Sequence, residues 1–201
     1  MKLSKTQKEI VYGLVLGDAY LQPTGKQNAR LRLEHSAKQK EYMDWLFQEL
    51  KDLFAKPPDF IQRVHPQTRR MNSYVRLQSH SSPWFGKLRK IFYDQKAKKH
   101  IPEKFEKILS GRTLAIWYMD DGYYYKRDKS AHIYLPIYTS AEIERLKRAF
   151  KKRFSITAKI YCRPDRKSCQ LTINGYDIKR FRLIIEPYII PSMRYKIPLT
   201  P

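Results

Sequence analysis

The chain has 201 residues and sets 41 Lys and Arg against 19 Asp and Glu, a formal net charge of +22. An excess of that size repels itself unless a polyanion offsets it, which points to nucleic acid or an anionic membrane surface. With 42% hydrophobic residues, among them 15 Tyr, 9 Phe and 3 Trp, the chain can build a substantial core, and a disordered basic tail is excluded.

No run approaches the ~20 apolar residues that cross a bilayer. The opening MKLSKTQKEI lacks the apolar region of a secretory signal. The expectation is a soluble intracellular protein with no membrane role. The two cysteines, Cys162 and Cys169, fall on facing arms of a predicted hairpin. They are read as buried free thiols in a reducing compartment, with a disulfide as the alternative. A zinc site would need two more ligands, and none is near in sequence.

In chain order, an apolar helix is predicted over roughly 6–18, within which GLVLGDAYL begins at Gly13. A hairpin follows, its turn marked by Pro23, Thr24 and Gly25. Its second arm alternates, Leu31 and Leu33 on one side and Arg30, Arg32 and Glu34 on the other. Residues 38–54 place Tyr42, Trp45, Leu46, Leu50 and Leu53 at helical spacing before Pro57 and Pro58. A second hairpin is expected at 59–65 and 72–79, with Tyr74, Arg76, Gln78 and His80 on one face and Val75 and Leu77 on the other. A helix over 83–93 closes this half.

The same order then repeats. A second apolar helix over about 112–121 carries LAIWYMDDG and leads to a hairpin near 122–138, a helix near 140–153, a further hairpin and a helix near 175–187. Each half reads αββαββα, and the chain divides at 1–104 and 105–201. The expected fold is α+β, two pseudo-symmetric halves each forming an antiparallel four-stranded sheet with helices on one face. Asp18 and Asp121 close the two apolar motifs half a chain apart. A carboxylate at the end of an apolar helix is costly to bury unless it is paired or binds a metal, so two at matching places suggest metal-binding acids about a pseudo-twofold axis. Each half also ends on a lysine near an Ile-Pro pair, Lys99 before Ile101-Pro102 and Lys196 before Ile197-Pro198.

GLVLGDAYL and LAIWYMDDG resemble the paired signature helices of the LAGLIDADG homing endonucleases, particularly the single-chain, intron-encoded group. The resemblance extends to RLRLEHSAKQKEYMDWL, KKHIP and IEPYIIPSMRYKIP, and covers nearly the whole chain. It implies that the motif helices pack side by side and join the halves. Gly13 and Gly17, at i and i+4, supply a close-approach surface on the first. The second departs from the pattern, with Ala115, then Ile116 where the first has Gly13, and Asp120 where it has Gly17. It further implies that Asp18 and Asp121 are catalytic acids holding a divalent metal, Mg²⁺ with Mn²⁺ as a substitute, and that Lys99 and Lys196 stand near the reacting phosphate. Asp120 is read as a supporting or capping residue.

Two-stranded ribbons fit the DNA major groove, so the polar sheet faces are the expected readers. Alternation assigns Arg30, Arg32, Glu34, Arg76 and Gln78 to the first, and Tyr134, Lys159, Tyr161, Arg163, Gln170 and Thr172 to the second. The function so implied is a sequence-specific double-strand DNA endonuclease acting as a monomer on a long, non-palindromic site. It would work in an organelle or in prokaryotic or phage-infected cytoplasm. Two alternatives stay open: an intron RNA maturase using the same basic surface, and a DNA-binding regulator that no longer cuts. Retention of both acids argues against the regulator.

Overall fold

A computed structural model describes residues 3–163, 165 and 167–198. The chain forms two compact units, one of residues 18–91 with Leu3, the other of residues 4–17 together with the chain from Phe92 onward. The first apolar helix therefore groups with the second unit, whereas Asp18 opens the body of the first.

The first unit holds strands β1 (Tyr20–Pro23), β2 (Ala29–Ser36), β3 (Asp59–Val64) and β4 (Met71–Gln78) in the antiparallel order β1-β2-β4-β3. Between β2 and β3 runs a helix, Lys40–Glu49, flanked by short 3-10 turns at Ala37–Gln39 and Lys51–Leu53. Another helix, Pro83–Phe92, follows β4. Period-two alternation sends Leu31, Leu33, Val75 and Leu77 to the helix side, where they are buried with Tyr42, Met43 and Leu46. Each such side chain is worth about 1.5–3 kcal/mol of burial.

The second unit repeats the pattern. Its strands Gly122–Tyr125, Ser130–Pro136, Lys159–Arg163 and Ser168–Ile173 are β5 to β8, ordered β5-β6-β8-β7. In chain order the helices are α1 (Lys5–Leu16), α2 (Lys40–Glu49), α3 (Pro83–Phe92), α4 (Phe105–Ile108), α5 (Gly111–Asp121), α6 (Ser140–Phe154) and α7 (Tyr176–Ile185). The single turn α4 was not expected; it puts Phe105 edge-on to Trp117 at 6.3 Å. Tyr118 meets Phe181 of α7 the same way at 5.0 Å. Each unit is thus an antiparallel four-stranded sheet with helices, the expected α+β architecture.

Two expectations are corrected. Cys162 and Cys169 are joined in a disulfide instead of remaining free thiols. The β7/β8 register sets them directly opposite each other, a placement that a judgement from cellular compartment does not consider. The first motif helix also stops short of Asp18. Its last helical residue is Leu16, and Gly17 leaves helical geometry with φ −88° and ψ −129°. Asp121, by contrast, is the last residue of α5.

Candidate functional site

Both motif helices start from side-chain caps. Ser4 and Gln7 form a reciprocal capping box on α1, and Ser110 accepts from the Thr113 N–H on α5. Within the second unit α1 and α5 pack on each other so that each small residue meets its own counterpart in the other motif. A Cβ added to Gly13 would lie 2.5 Å from Ile116 Cβ, and one added to Gly17 would lie 2.6 Å from Asp120 Cβ. One turn earlier, Glu9 sits 3.5 Å from its counterpart Arg112, and the Thr113 hydroxyl donates to the Glu9 carbonyl. Residue against counterpart at steps of four is the contact pattern of a twofold-related pair. Here the two sides differ in size, Gly13 on α1 and Gly17 just past its end facing isoleucine and aspartate on α5. Ala115 is fully buried in α5.

The two lysines occupy matching positions at the motif ends. Lys99 Nζ donates to the carbonyl of Gly17, in the peptide that leads into Asp18. Lys196 Nζ donates to the carbonyls of Met119 and, at 3.2 Å, Asp120, the latter in the peptide that leads into Asp121. Carbonyls in the last turn of a helix have no partner within it, and an ammonium also complements the negative end of the dipole. Lys99 is delivered by a closed turn in which Asp94 accepts from the N–H groups of Lys96 and Lys98, with Ala97 at φ 57° and a bridge from Tyr93 to Lys99. Lys196 ends the 3-10 segment Pro191–Lys196, and its own carbonyl accepts from the Tyr118 hydroxyl at 2.9 Å.

Asp18 keeps 46% of its side chain exposed and lies 3.7 Å from Nδ1 of the buried His35. Asp120 and Asp121 are both half-buried. Beside Asp121 the Tyr138 phenol is pushed up, first by burial and then by the charges of Glu142 and Asp121. Carboxylate oxygens at partly open motif ends suit a hard divalent cation, for which Mg²⁺ and Mn²⁺ are the oxygen-seeking candidates.

Every assigned sheet-face residue lies on the face that alternation predicted, but several are already engaged with one another. In the first sheet Glu34 accepts from both Arg63 and Arg76 at 2.7 to 2.9 Å. Burial would raise the Glu34 carboxyl, and the two guanidiniums outweigh it and hold it below its ordinary range. Arg30 donates to Gln22, and Arg32 stands opposite both Tyr20 and Gln78 in the ladders. The second sheet face is aromatic instead. Tyr123 stacks between His132 at 4.8 Å and Tyr134 at 5.1 Å, and burial followed by its hydrogen bond with Tyr134 pushes its phenol up to about 12. Gln170 bonds His132 and Thr172, Tyr161 and Lys159 lie exposed on the edge strand, and the Arg163 guanidinium lies over Tyr161.

Sequence reasoning missed Gln22, Arg63, Tyr123 and His132 on these faces, and His35 beside Asp18. The first four share the alternation of their neighbours and were readable in principle. His35 was not, because its importance lies in proximity to a residue 17 positions away across a turn.

Comparison with known proteins adds to this geometry. A family model described as the LAGLIDADG DNA endonuclease family matches residues 8–181. The chain is 27% identical to "Probable intron-encoded endonuclease 1" of Wickerhamomyces canadensis, over 97% of this chain and 85% of that protein. It is 24% identical to "Cytochrome b mRNA maturase bI2" of Debaryomyces hansenii, over 97% and 74% respectively. Its fold is similar to that of the homing endonuclease I-WcaI bound to its DNA recognition sequence, with a TM-score of 0.88 and 26% identity, covering 98% of this chain and 88% of that one.

Proposed function

The chain belongs to the LAGLIDADG DNA endonuclease family, and from that premise we propose that it is a Mg²⁺-dependent homing endonuclease that cuts one phosphodiester in each strand of a long, non-palindromic site, acting as a monomer. The observation that carries the reading is the matched pair of motif ends. In each, an acid follows a peptide whose carbonyl is gripped by a lysine.

Asp18 and Asp121 would hold the metal, which when bound supplies charge stabilisation at the phosphoryl oxygens and an activated water. Lys99 and Lys196, fixed by their backbone acceptors, set an ammonium at each motif end to offset charge on the phosphate. Each half, 1–104 and 105–201, serves one strand. In each unit the polar sheet face is the contact with duplex DNA, arginine- and amide-rich in the first and aromatic, with Lys159 and Arg163, in the second. Their alternate side chains reach base edges while flanking cations meet phosphates.

The test is cleavage of a plasmid carrying the candidate site in Mg²⁺. Asp18→Asn and Asp121→Asn should each leave a nicked product, and the double variant should bind the site with undiminished affinity yet cut neither strand. Cleavage by the double variant would sink the assignment. One observation favours a second role, likeness to a protein named as an mRNA maturase. A splicing assay of the host intron with and without the protein decides it.

A further inference from the structure

Lys196 is held by its main chain as well as by its ammonium. Its carbonyl accepts from the Tyr118 hydroxyl at 2.9 Å, and its Nζ donates back to the carbonyls of Met119 and Asp120, the residues that follow Tyr118 in α5. These contacts close a ring that runs from the phenol to the lysine backbone, along the lysine stem and from the ammonium back to the helix end. The ring is anchored in the turn of α5 that also carries Asp121.

The tyrosine at its root is itself fixed. Tyr118 is fully buried, and Phe181 of α7 meets its ring edge-on at 5.0 Å. Where the chain leaves α5, a Cβ added to Gly122 would run into the Tyr118 ring and carbonyl, so a residue without a side chain makes the room for it. A buried hydroxyl is costly without an acceptor, and the last carbonyls of a helical segment have no partner within it. Lys196 ends the 3-10 segment Pro191–Lys196, so its carbonyl is the kind of acceptor that such a hydroxyl can use.

On the endonuclease reading, we propose that Tyr118 is a positioning residue for Lys196, its hydroxyl pinning the lysine backbone so that the ammonium is held at the end of the second motif for the phosphate. A lysine stem is flexible, and fixing its root restricts where the charge can go. Misplacing a charge-stabilising group by about 1 Å can cost about a hundredfold in rate.

Strand-resolved single-turnover cleavage in Mg²⁺ of a duplex labelled on both strands tests this, with Asp121→Asn identifying the strand that the second motif cuts. Tyr118→Phe, which keeps the ring and removes the hydroxyl, should slow that strand about ten- to hundredfold, slow the other less and leave target affinity unchanged. Lys196→Met, which removes the ammonium, should slow the same strand. Adding Tyr118→Phe to it should then cost little, because the hydroxyl acts through the ammonium. A merely structural hydroxyl would slow cleavage by the same factor in both backgrounds. In the protein without DNA or metal, the ¹³Cε resonance of Lys196 should move on Tyr118→Phe, a readout independent of cleavage. Equal slowing of both strands, no slowing by either variant, the same factor in both backgrounds or an unmoved resonance would overturn the inference and leave the endonuclease reading standing. Failure of the unsubstituted protein to cut either strand would overturn that reading, and this inference with it.

Discussion

At the scale of single residues, the motif ends combine packing with chemistry. Gly13 and Gly17 let α1 approach α5 closely enough for counterpart residues to touch, and that approach brings the Asp120 side chain against Gly17. Because α5 supplies the bulk and α1 the space, the two motifs are not interchangeable. Gly13→Ala places a methyl 2.5 Å from Ile116 Cβ and 2.7 Å from the Thr113 carbonyl. It should destabilise the fold by about 1–3 kcal/mol, read as a lower denaturant midpoint with an unchanged slope. Combined with Ile116→Gly, which opens space on the other helix at its own cost in burial and helix propensity, the loss should be smaller than the sum of the two single losses. Simple additivity of the two would contradict the counterpart contact.

At the scale of elements, the two sheets share a topology but differ in surface chemistry. The first presents guanidiniums gathered around Glu34, the second a stack of Tyr134, Tyr123 and His132. His132 is braced by Ser130 on one ring nitrogen and Thr172 on the other. Burial pushes its imidazole below the ordinary value of 6.5, against the opposing charge of Asp128. A histidine whose folded pKa lies below its unfolded value binds protons more readily when unfolded. Its contribution is therefore whole above pH 6.5 and is lost as pH falls from there toward the folded value. The melting temperature should drop between about pH 7.5 and about 5.5, and drop less in His132→Gln. Equal pH dependence in the two proteins would show that this ring does not set the stability of the second sheet.

At the scale of the whole molecule, the net charge of +22 governs association with nucleic acid. No helix among the described residues is long and apolar enough to cross a membrane. Affinity for the DNA target should fall by about 10³-fold or more between 50 and 200 mM salt if six or more phosphates are neutralised. A nearly flat salt dependence, measured by fluorescence anisotropy, would contradict that account. The duplicated order of helices and strands and the assignment of Arg30, Arg32, Arg76, Tyr134 and Gln170 to the polar sheet faces were legible in the sequence. Each is written in a local period, 3.6 along a helix or 2 along a strand, and that period survives whatever the segment packs against. Tertiary structure alone decided that Gly17 faces Asp120, that Glu34 lies between Arg63 and Arg76, and that His35 stands beside Asp18. Those facts depend on the register and approach of segments distant along the chain, which no local period specifies.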